Sequence, residues 1–293
     1  MILRRERILF IVNPISGGKD KIRFPELVDK YLDRNIFEAN IVFSEYGGHA
    51  SILAKEGIDQ EYDCVVAVGG DGTINEVASI LVFSGKKMGV IPCGSGNGLA
   101  RTLGIPLERG KAVRRLNRNK VRVIDSGTLN NRRFFNIAGL GFDARISALF
   151  ADNKGRGLKG YVVSVLKEIK NYKPNLYTIE VDGKSLKREA FMVSIANSSQ
   201  YGNNAHISPT ATIDDGLLDV CIIKPFPLYW LPILITRMLL KNVDSSKYLE
   251  IIKGKQIKIE QLGDDPIHID GEPLVGTKTI EIEVEHLSLN ILV

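Results

Sequence analysis

Three glycine-rich segments in the first third of the chain constrain its fold more than any other feature. Each follows a short run of apolar or β-branched residues, and the segments are residues 13–19 (NPISGGK), 69–76 (GGDGTINE) and 92–101 (PCGSGNGLAR). The repeated order of strand, glycine-rich turn and helix is typical of βαβ units with a parallel sheet. Because such turns all leave the carboxyl ends of parallel strands, we expect the three segments to meet at one edge of a single sheet.

The composition is that of an ordinary globular protein. The chain has 293 residues, 44% hydrophobic and 25% charged, which argues against disorder, collagen and coiled coil. The net charge of +5 suits anionic partners such as nucleotides or acidic lipid surfaces without choosing between them, and we expect no nucleic-acid partner. The three cysteines are odd in number and far apart, so we expect neither a disulfide framework nor a zinc site.

Neither of the two most apolar stretches predicts export or a membrane span. Residues 8–12 are apolar, but the run stops at Asn13 and Pro14, too soon for a signal peptide. Residues 225–240 are interrupted by two prolines and Arg237, and they fall short of the ~20 apolar residues of a spanning helix. We therefore expect a cytoplasmic protein, whose contact with the inner face of the membrane would be peripheral.

The change of pattern along the chain predicts an α/β protein with two domains. Residues 1–126 indicate a doubly wound, mainly parallel α/β domain, residues 127–278 a mainly antiparallel, sandwich-like domain, and residues 279–293 a final strand that returns to the first domain. Strands and helices alternate in the first domain, at residues 7–12, 24–35, 39–43, 49–56, 64–68, 73–82, 88–91 and 97–103. The second domain is predicted to have a helix at 160–172 and strands at 133–138, 176–181, 190–196 and 218–223.

The glycine-rich segments carry residue types that bind phosphate. Backbone N–H groups in such turns approach a phosphate closely, and Ser16 and Lys19 add a donor and a charge. Taken alone, the first segment is equally well explained as a plain strand-to-helix turn. Asp71 has two compatible interpretations, a helix N-cap and a carboxylate that holds Mg²⁺ against phosphates. Together with Ser95 and Asn97, the three segments predict a nucleotide-phosphate cleft.

These motifs, in this order and spacing, resemble the catalytic domain of the diacylglycerol kinase and sphingosine kinase superfamily in its compact bacterial form. Further segments are similar to the family at residues 44–50, 136–143, 214–219 and 270–274. The resemblance implies a lipid kinase that uses ATP and Mg²⁺ to phosphorylate a lipid alcohol, diacylglycerol or a related glycerolipid or sphingoid lipid, at a membrane surface. The nucleotide-binding residues that it implies are Asn13, Ser16, Gly17, Lys19, Ser44, Gly69, Gly70, Asp71, Gly72, Thr73, Asn75, Glu76, Gly94, Ser95 and Asn97.

The resemblance also implies two catalytic residues and a metal site. The catalytic residues are Asp71 and Glu272, with Glu272 as the general base that takes the proton of the lipid hydroxyl. On its own residues, the Glu272 segment is better explained as a solvated Asp-Gly turn. The implied metal ligands are Thr212, Asp215 and Leu217, whose oxygen atoms suit Mg²⁺, although a two-residue hairpin turn explains the same segment equally well.

The sequence leaves alternatives open at four points. Gly98 stands where many relatives carry a carboxylate, which puts the role of that group in doubt here. A kinase of a soluble alcohol and a nucleotide-binding sensor without catalysis are alternatives, although the set of motifs favours the lipid kinase. The apolar segment 225–240 and the basic loop 154–159 are both candidates for membrane docking, while a helix packed on the second domain also explains the former. The sequence does not decide whether the protein forms a homodimer.

Overall fold

The computed structural model describes residues 4–18, 21–152, 167–263 and 265–293. Three predictions therefore lie outside the described residues, namely those for Lys19, for the basic loop 154–159 and for all but the end of the helix 160–172. The chain divides into two compact units, the first formed by Met1–Asp125 with Leu287–Val293 and the second by Ser126–His286.

A parallel sheet lies in the first unit. Its strands are β1 (Glu6–Val12), β2 (Phe37–Phe43), β3 (Cys64–Gly69) and β4 (Lys87–Pro92). They lie in the order β2-β1-β3-β4, and each neighbouring pair is parallel. β3 is buried along its whole length, as expected for the centre of a sheet that is covered on both faces. Asn290 and Ile291, late in the chain, pair in parallel with Lys87 and Met88 of β4.

Helices alternate with these strands. They are α1 (Phe24–Tyr31), α2 (His49–Asp59), α3 (Asp71–Leu81), α4 (Gly98–Thr102) and α5 (Arg109–Leu116). In α3 the apolar residues recur at helical spacing, so that Ile74, Val77 and Leu81 are buried together. The predicted parallel α/β architecture of this part of the chain is confirmed, with α5 as an additional helix.

Antiparallel strands build the second unit. The strands are β5 (Val121–Leu129, which begins in the first unit), β6 (Arg132–Phe134), β7 (Ile137–Gly141), β8 (Asn175–Val181), β9 (Lys184–Ala190), β10 (Met192–Ala196), β11 (Leu218–Ile223), β12 (Leu249–Gly254), β13 (Gln256–Gln261), β14 (Ile267–Ile269), β15 (Glu272–Leu274) and β16 (Thr279–Leu292). One sheet has the order β12-β11-β10-β7-β14-β15, while β16, β13, β8 and β9 pair in another. Val193 and Val220 from the first sheet share a core with Ile179 and Ile257 from the second, which confirms the sandwich.

Two details of the second unit differ from the sequence predictions. The strand expected at 133–138 is divided into β6 and β7, because the N–H groups of Phe135 and Asn136 donate to the carboxylate of Asp270. The turn at Asp215 is not a two-residue hairpin, since residues 208–217, all of them described, contain no strand before β11.

The second unit also contains two named helices, α6 (Phe142–Asp152) and α7 (Leu231–Leu239). Within the described ranges, no helix has the length and apolar character that crossing a bilayer requires.

Candidate active site

Loops extend from the carboxyl ends of β1, β3 and β4. They are loop 1 (residues 13–18), loop 2 (residues 69–72, which are Gly70 with the last residue of β3 and the first two of α3) and loop 3 (residues 93–97). The N–H of Asn13 donates to the carbonyl of Val68 (3.0 Å), and the N–H of Cys93 donates to the carbonyl of Gly69 (2.7 Å). The backbone pairing of the strands thus continues into the loops, which lie side by side at one edge of the sheet.

Glycine is required where these loops touch. A Cβ on Gly17 would lie 1.8 Å from the carbonyl oxygen of Cys93. A Cβ on Gly94 would lie 2.9 Å from the Cα of Gly70. Gly17 also has a φ of +65°, in the left-handed region that side chains disfavour. The loops therefore pack backbone against backbone, an arrangement in which peptide N–H groups can line a phosphate site.

The carboxylate of Asp71 connects loop 2 to loop 3. Its Oδ2 accepts the N–H of Asn97 (2.9 Å), and its Oδ1 accepts the N–H of Gly98 (3.1 Å), the first residue of α4. The interpretation of Asp71 as the N-cap of its own helix is wrong, because Gly70 holds the cap position of α3. Asp71 instead stabilises the start of α4, where a negative charge is favourable.

Asn97 fixes the conformation of loop 3. It has a φ of +52°, which asparagine tolerates better than most residues. Its side chain accepts the N–H of Gly94 (2.9 Å) and donates to the carbonyl of the same residue (2.7 Å). The guanidinium of Arg101 donates to the carbonyl of Gly96 (3.0 Å), while Ser95 is exposed on the loop. Asn97 is thus a structural residue of the loop as well as a candidate ligand.

Loop 1 is held by a lysine that sequence reasoning missed. Lys21 is 1% exposed, and its ammonium donates to backbone carbonyls of loop 1, that of Ser16 among them. The sequence predicts Lys19 instead, because Lys19 ends the first glycine-rich segment and Lys21 lies two positions beyond it. Asn13 adds a second restraint, since its side-chain amide donates to the hydroxyl of Thr73 (3.0 Å). The bond from Asn13 ties loop 1 to α3, while Lys21 restrains the loop from within.

Glu76 makes a structural contact with α2, while its predicted contact with the nucleotide stays a prediction. Its carboxylate accepts the N–H of Gly48 (3.1 Å) and the N–H of Ala50 (3.2 Å), at the start of α2. The side chain therefore caps α2 from the neighbouring helix, satisfying N–H groups that lack a partner within α2.

Ser44 lies at the same edge of the sheet as the loops, and Asn75 lies on α3, one turn after Asp71. Ser44 follows β2, is buried, and donates its backbone N–H to the carbonyl of Val12 (2.9 Å). The side chain of Asn75 accepts the hydroxyl of Ser79 (3.3 Å) on the same face of α3. Their predicted contacts with ATP stay predictions.

In the second unit, a rigid turn presents Glu272. The turn joins β14 to β15 through Asp270 and Gly271, whose φ values of +49° and +87° are those of a tight hairpin. The carboxylate of Asp270 accepts the N–H groups of Phe135 (3.0 Å), Asn136 (2.9 Å) and Ile137 (3.1 Å). Glu272 follows directly and is exposed. Glu272, which the resemblance implies as the general base, thus follows a backbone turn that is fixed by hydrogen bonds, and its side chain is exposed.

A buried polar network supports this turn from behind. His268 is 2% exposed, its Nδ1 accepts the N–H of Gly271 (3.4 Å), and its Nε2 lies 2.9 Å from a carboxylate oxygen of Asp143. The same oxygen accepts the hydroxyl of Ser194 (3.0 Å), which lies 2.5 Å from the hydroxyl of Tyr201. Burial raises the pKa of Tyr201 well above its ordinary value, which favours the protonated hydroxyl in this network.

The predicted metal ligands lie together but face a lysine. The carboxylate of Asp215 accepts the hydroxyl of Thr212 (3.0 Å) and the N–H of Leu217 (3.1 Å). The ammonium of Lys253 lies 3.6 Å from this carboxylate and 3.1 Å from that of Asp219. Burial acts to lower the pKa of Lys253, but the two carboxylates outweigh it and the pKa is raised.

The oxygen atoms around Asp215 do not fit a divalent cation in this arrangement, because the ammonium of Lys253 already neutralises the carboxylate of Asp215. Among the described residues, no group of three His, Cys, Asp or Glu side chains is arranged to hold a metal ion. The metal site at Asp215 stays a prediction.

Models of known families match almost the whole chain. The model described as "Diacylglycerol kinase catalytic domain" matches residues 7–129, and "YegS C-terminal NAD kinase beta sandwich-like domain" matches residues 136–293.

Individual relatives agree with these matches. "Diacylglycerol kinase" of Bacillus subtilis (strain 168) is 29% identical over 92% of this chain and 90% of its own length. "Probable lipid kinase YegS-like" of Chromohalobacter salexigens is 32% identical over 78% of this chain and 75% of its own length.

Solved structures share the fold. A diacylglycerol kinase from Bacillus anthracis str. Sterne has a TM-score of 0.76 at 22% identity, covering 99% of this chain and 97% of that one. An NAD kinase from Archaeoglobus fulgidus, solved in complex with ATP, has a TM-score of 0.51 at 14% identity, covering 98% of this chain and 93% of that one. With both of its domains matched and a relative above 30% identity, the chain belongs to the diacylglycerol kinase catalytic-domain family, in the form that carries a YegS-type C-terminal domain.

Proposed function

We propose that the protein transfers the γ-phosphoryl group of ATP to the hydroxyl of a lipid alcohol, diacylglycerol or a related glycerolipid or sphingoid lipid. The observation that carries the proposal is the packing of three glycine-rich loops at the carboxyl edge of a parallel sheet, held together through Asp71. Relatives named diacylglycerol kinase and lipid kinase support the lipid acceptor, and a protein of similar fold solved with ATP supports the donor.

The chemistry needs few protein groups. Phosphoryl transfer depends mainly on positioning and on neutralising charge, and backbone N–H groups of the three loops would supply both to the phosphates of ATP. Asp71 is the residue that would hold Mg²⁺, since its carboxylate lies among these loops and carboxylate oxygens are ligands that Mg²⁺ prefers. The ion would neutralise negative charge on the phosphates.

Glu272 would act on the acceptor. In the proposed reaction its carboxylate accepts the proton of the lipid hydroxyl while the hydroxyl oxygen attacks the γ-phosphorus, and ADP leaves. Its exposure and the three hydrogen bonds that fix Asp270 two residues earlier support this role.

The test is incorporation of label from γ-labelled ATP, with Mg²⁺, into micelles that each contain one candidate lipid. We expect label in one lipid class, and we expect Glu272→Gln to lower kcat by about 10²–10⁴-fold because the amide cannot take a proton. Glu281→Gln, an exposed carboxylate of the same unit, is the matched control and should leave the rate unchanged.

Two results would count against the proposal. Full activity of Glu272→Gln would remove this residue from the reaction. No label in any lipid, with ATP binding intact, would move the function to a soluble alcohol or to a nucleotide sensor.

A further inference from the structure

The apolar segment after β11 lies on the surface of the second unit. It forms a short turn, Leu228–Trp230, followed by α7. In α7, every residue of which is described, Leu234 alone is buried. Leu231 and Met238 are partly buried and pack against the core of the unit. The interpretation of this segment as a helix packed on the domain therefore holds for one face of α7, while Ile233, Ile235 and Leu239 stay exposed.

Six exposed apolar side chains lie within 13 residues of chain, between residues 228 and 240. We define the α7 surface as Leu228, Tyr229, Ile233, Ile235, Leu239 and Leu240. Tyr229 is 75% exposed and Leu239 50%, fractions that are large for such side chains. Ile235 and Leu239 lie four residues apart and so share one face of the helix. An apolar patch of this kind marks a contact with another molecule or with lipid.

Aromatic and basic groups border the α7 surface. Trp230 packs edge-on against Tyr248, with ring centroids 5.4 Å apart, and the ammonium of Lys247 lies 5.6 Å from the centre of its ring. Arg237 donates to the hydroxyl of Ser245 (2.5 Å). Residues 228–248 contain three basic side chains and one carboxylate. Tyrosine and tryptophan beside apolar residues, with lysine and arginine around them, are typical of elements that lie in a bilayer interface.

We propose that the α7 surface docks the protein on an anionic bilayer, with α7 lying in the plane of the interface and its exposed leucine and isoleucine side chains among the acyl chains. The inference rests on the proposed function, since a lipid acceptor resides in a bilayer. Its own support is the exposure of the apolar residues and the positive charge beside them, which is complementary to acidic headgroups.

A second copy of the chain fits this surface less well. A helix of nine residues is ~14 Å long, too short to supply by itself the ~800 Å² that each partner of a stable interface buries. Two copies meeting here would also bring like charges together, whereas an anionic membrane attracts them.

The proposal can be measured directly through Trp230, the single tryptophan of the chain. Trp230 lies at the edge of the α7 surface, between Tyr229 and the start of α7. The fluorescence of Trp230 is recorded in the absence of ATP with two kinds of vesicle. One contains phosphatidylcholine alone, and the other contains phosphatidylcholine with anionic phosphatidylglycerol. We expect a blue shift with the anionic vesicles, quenching by lipids brominated on the acyl chain, and a decrease of both in high salt. No change with anionic vesicles would overturn the proposal.

A charged variant tests the surface itself. Ile235→Glu combined with Leu239→Glu changes two exposed side chains, so folding should be unaffected, and vesicle binding by sedimentation should weaken about tenfold or more. Leu262→Glu, at a position 85% exposed in the same unit, is the matched control and should bind like the unchanged protein. Equal loss in both variants would contradict docking through α7.

Two further measurements separate the possible outcomes. Loss of vesicle binding with unchanged turnover of a water-soluble, short-chain diacylglycerol supports docking through α7. A dimer in solution that the double variant dissociates would show that a second copy covers the surface, and would overturn the proposal. Vesicle binding through Trp230 without activity on any lipid would leave docking in place and reject the proposed function.

Discussion

At the scale of single residues, the nucleotide site depends on glycines that differ sharply in what a side chain would meet. Gly17 and Gly18 are adjacent and both have positive φ, +65° and +62°. A Cβ on Gly17 would collide with the backbone of Cys93, while a Cβ on Gly18 would have no atom of the described residues within 4 Å. The two positions therefore separate the effect of close packing from the effect of backbone conformation.

We predict that Gly17→Ala destabilises the protein by about 2–4 kcal/mol and weakens ATP binding about tenfold or more, because loop 1 must move away from loop 3. Gly18→Ala, the control, should cost about 1 kcal/mol, since only the left-handed conformation penalises it. Urea denaturation and ATP titration measure both quantities. Equal effects of the two substitutions would refute the contact between the loops.

Several residue-scale features lay beyond prediction because their contacts join distant positions. The hydrogen bonds of Asp270 reach Phe135 and Asn136, more than 130 residues earlier, and sequence patterns carry no such pairing without a fold. The carboxylate of Asp71 is predictable as functional from its motif, but its bond to the N–H of Asn97 is not. Motifs identify residue types at a site, whereas the partners depend on how loops from separate strands meet.

At the scale of elements, α2 and α3 are joined by one carboxylate. Glu76 on α3 accepts two N–H groups at the start of α2, whose own cap residue is a glycine without a side chain. This arrangement ties the orientation of α2 to that of the helix that follows loop 2.

We predict that Glu76→Gln lowers stability by about 0.5–1 kcal/mol and speeds amide hydrogen exchange at the start of α2, since an amide keeps only one acceptor oxygen. ATP affinity should change little. Glu56→Gln, at an exposed position of α2, serves as the control and should alter neither stability nor the hydrogen exchange of α2. A large loss of ATP affinity without faster exchange would favour the predicted nucleotide contact over the cap.

Elements were predictable in proportion to the clarity of their hydrophobic pattern. β3 and α3 follow from a continuous apolar run and from helical spacing, and both are present. α5 was missed because three arginines and a lysine leave only Ala112, Val113 and Leu116 as its apolar core residues. β9 was missed because it is mostly polar and buries only Ala190. Helices and strands that bury few apolar side chains have a weak hydrophobic pattern and are therefore hard to predict from the sequence.

At the scale of the whole molecule, the first unit is not continuous in sequence. Leu287–Val293 belong to it, and Ile291 pairs with Met88 of β4 and is fully buried. The core behind the nucleotide loops thus includes side chains that follow the whole second unit in the chain.

We predict that Ile291→Ala destabilises the first unit by about 2–5 kcal/mol and weakens ATP binding, because it leaves a cavity beside β4. Asn290→Ala, whose side chain makes one exposed contact with the carbonyl of Gly85, should have a much smaller effect. Chemical denaturation followed together with ATP binding measures this. Unchanged stability of Ile291→Ala would contradict the pairing with β4.

The shared strand β16 also bears on how the protein is made. During synthesis, the ribosome releases the first 125 residues and then all of the second unit before Ile291 appears. The parallel sheet therefore waits, without its last strand, until translation has passed the entire sandwich. A ribosome that stalls anywhere in the second unit would yield a chain that carries all three glycine-rich loops but lacks the residues of β16 that pair with β4.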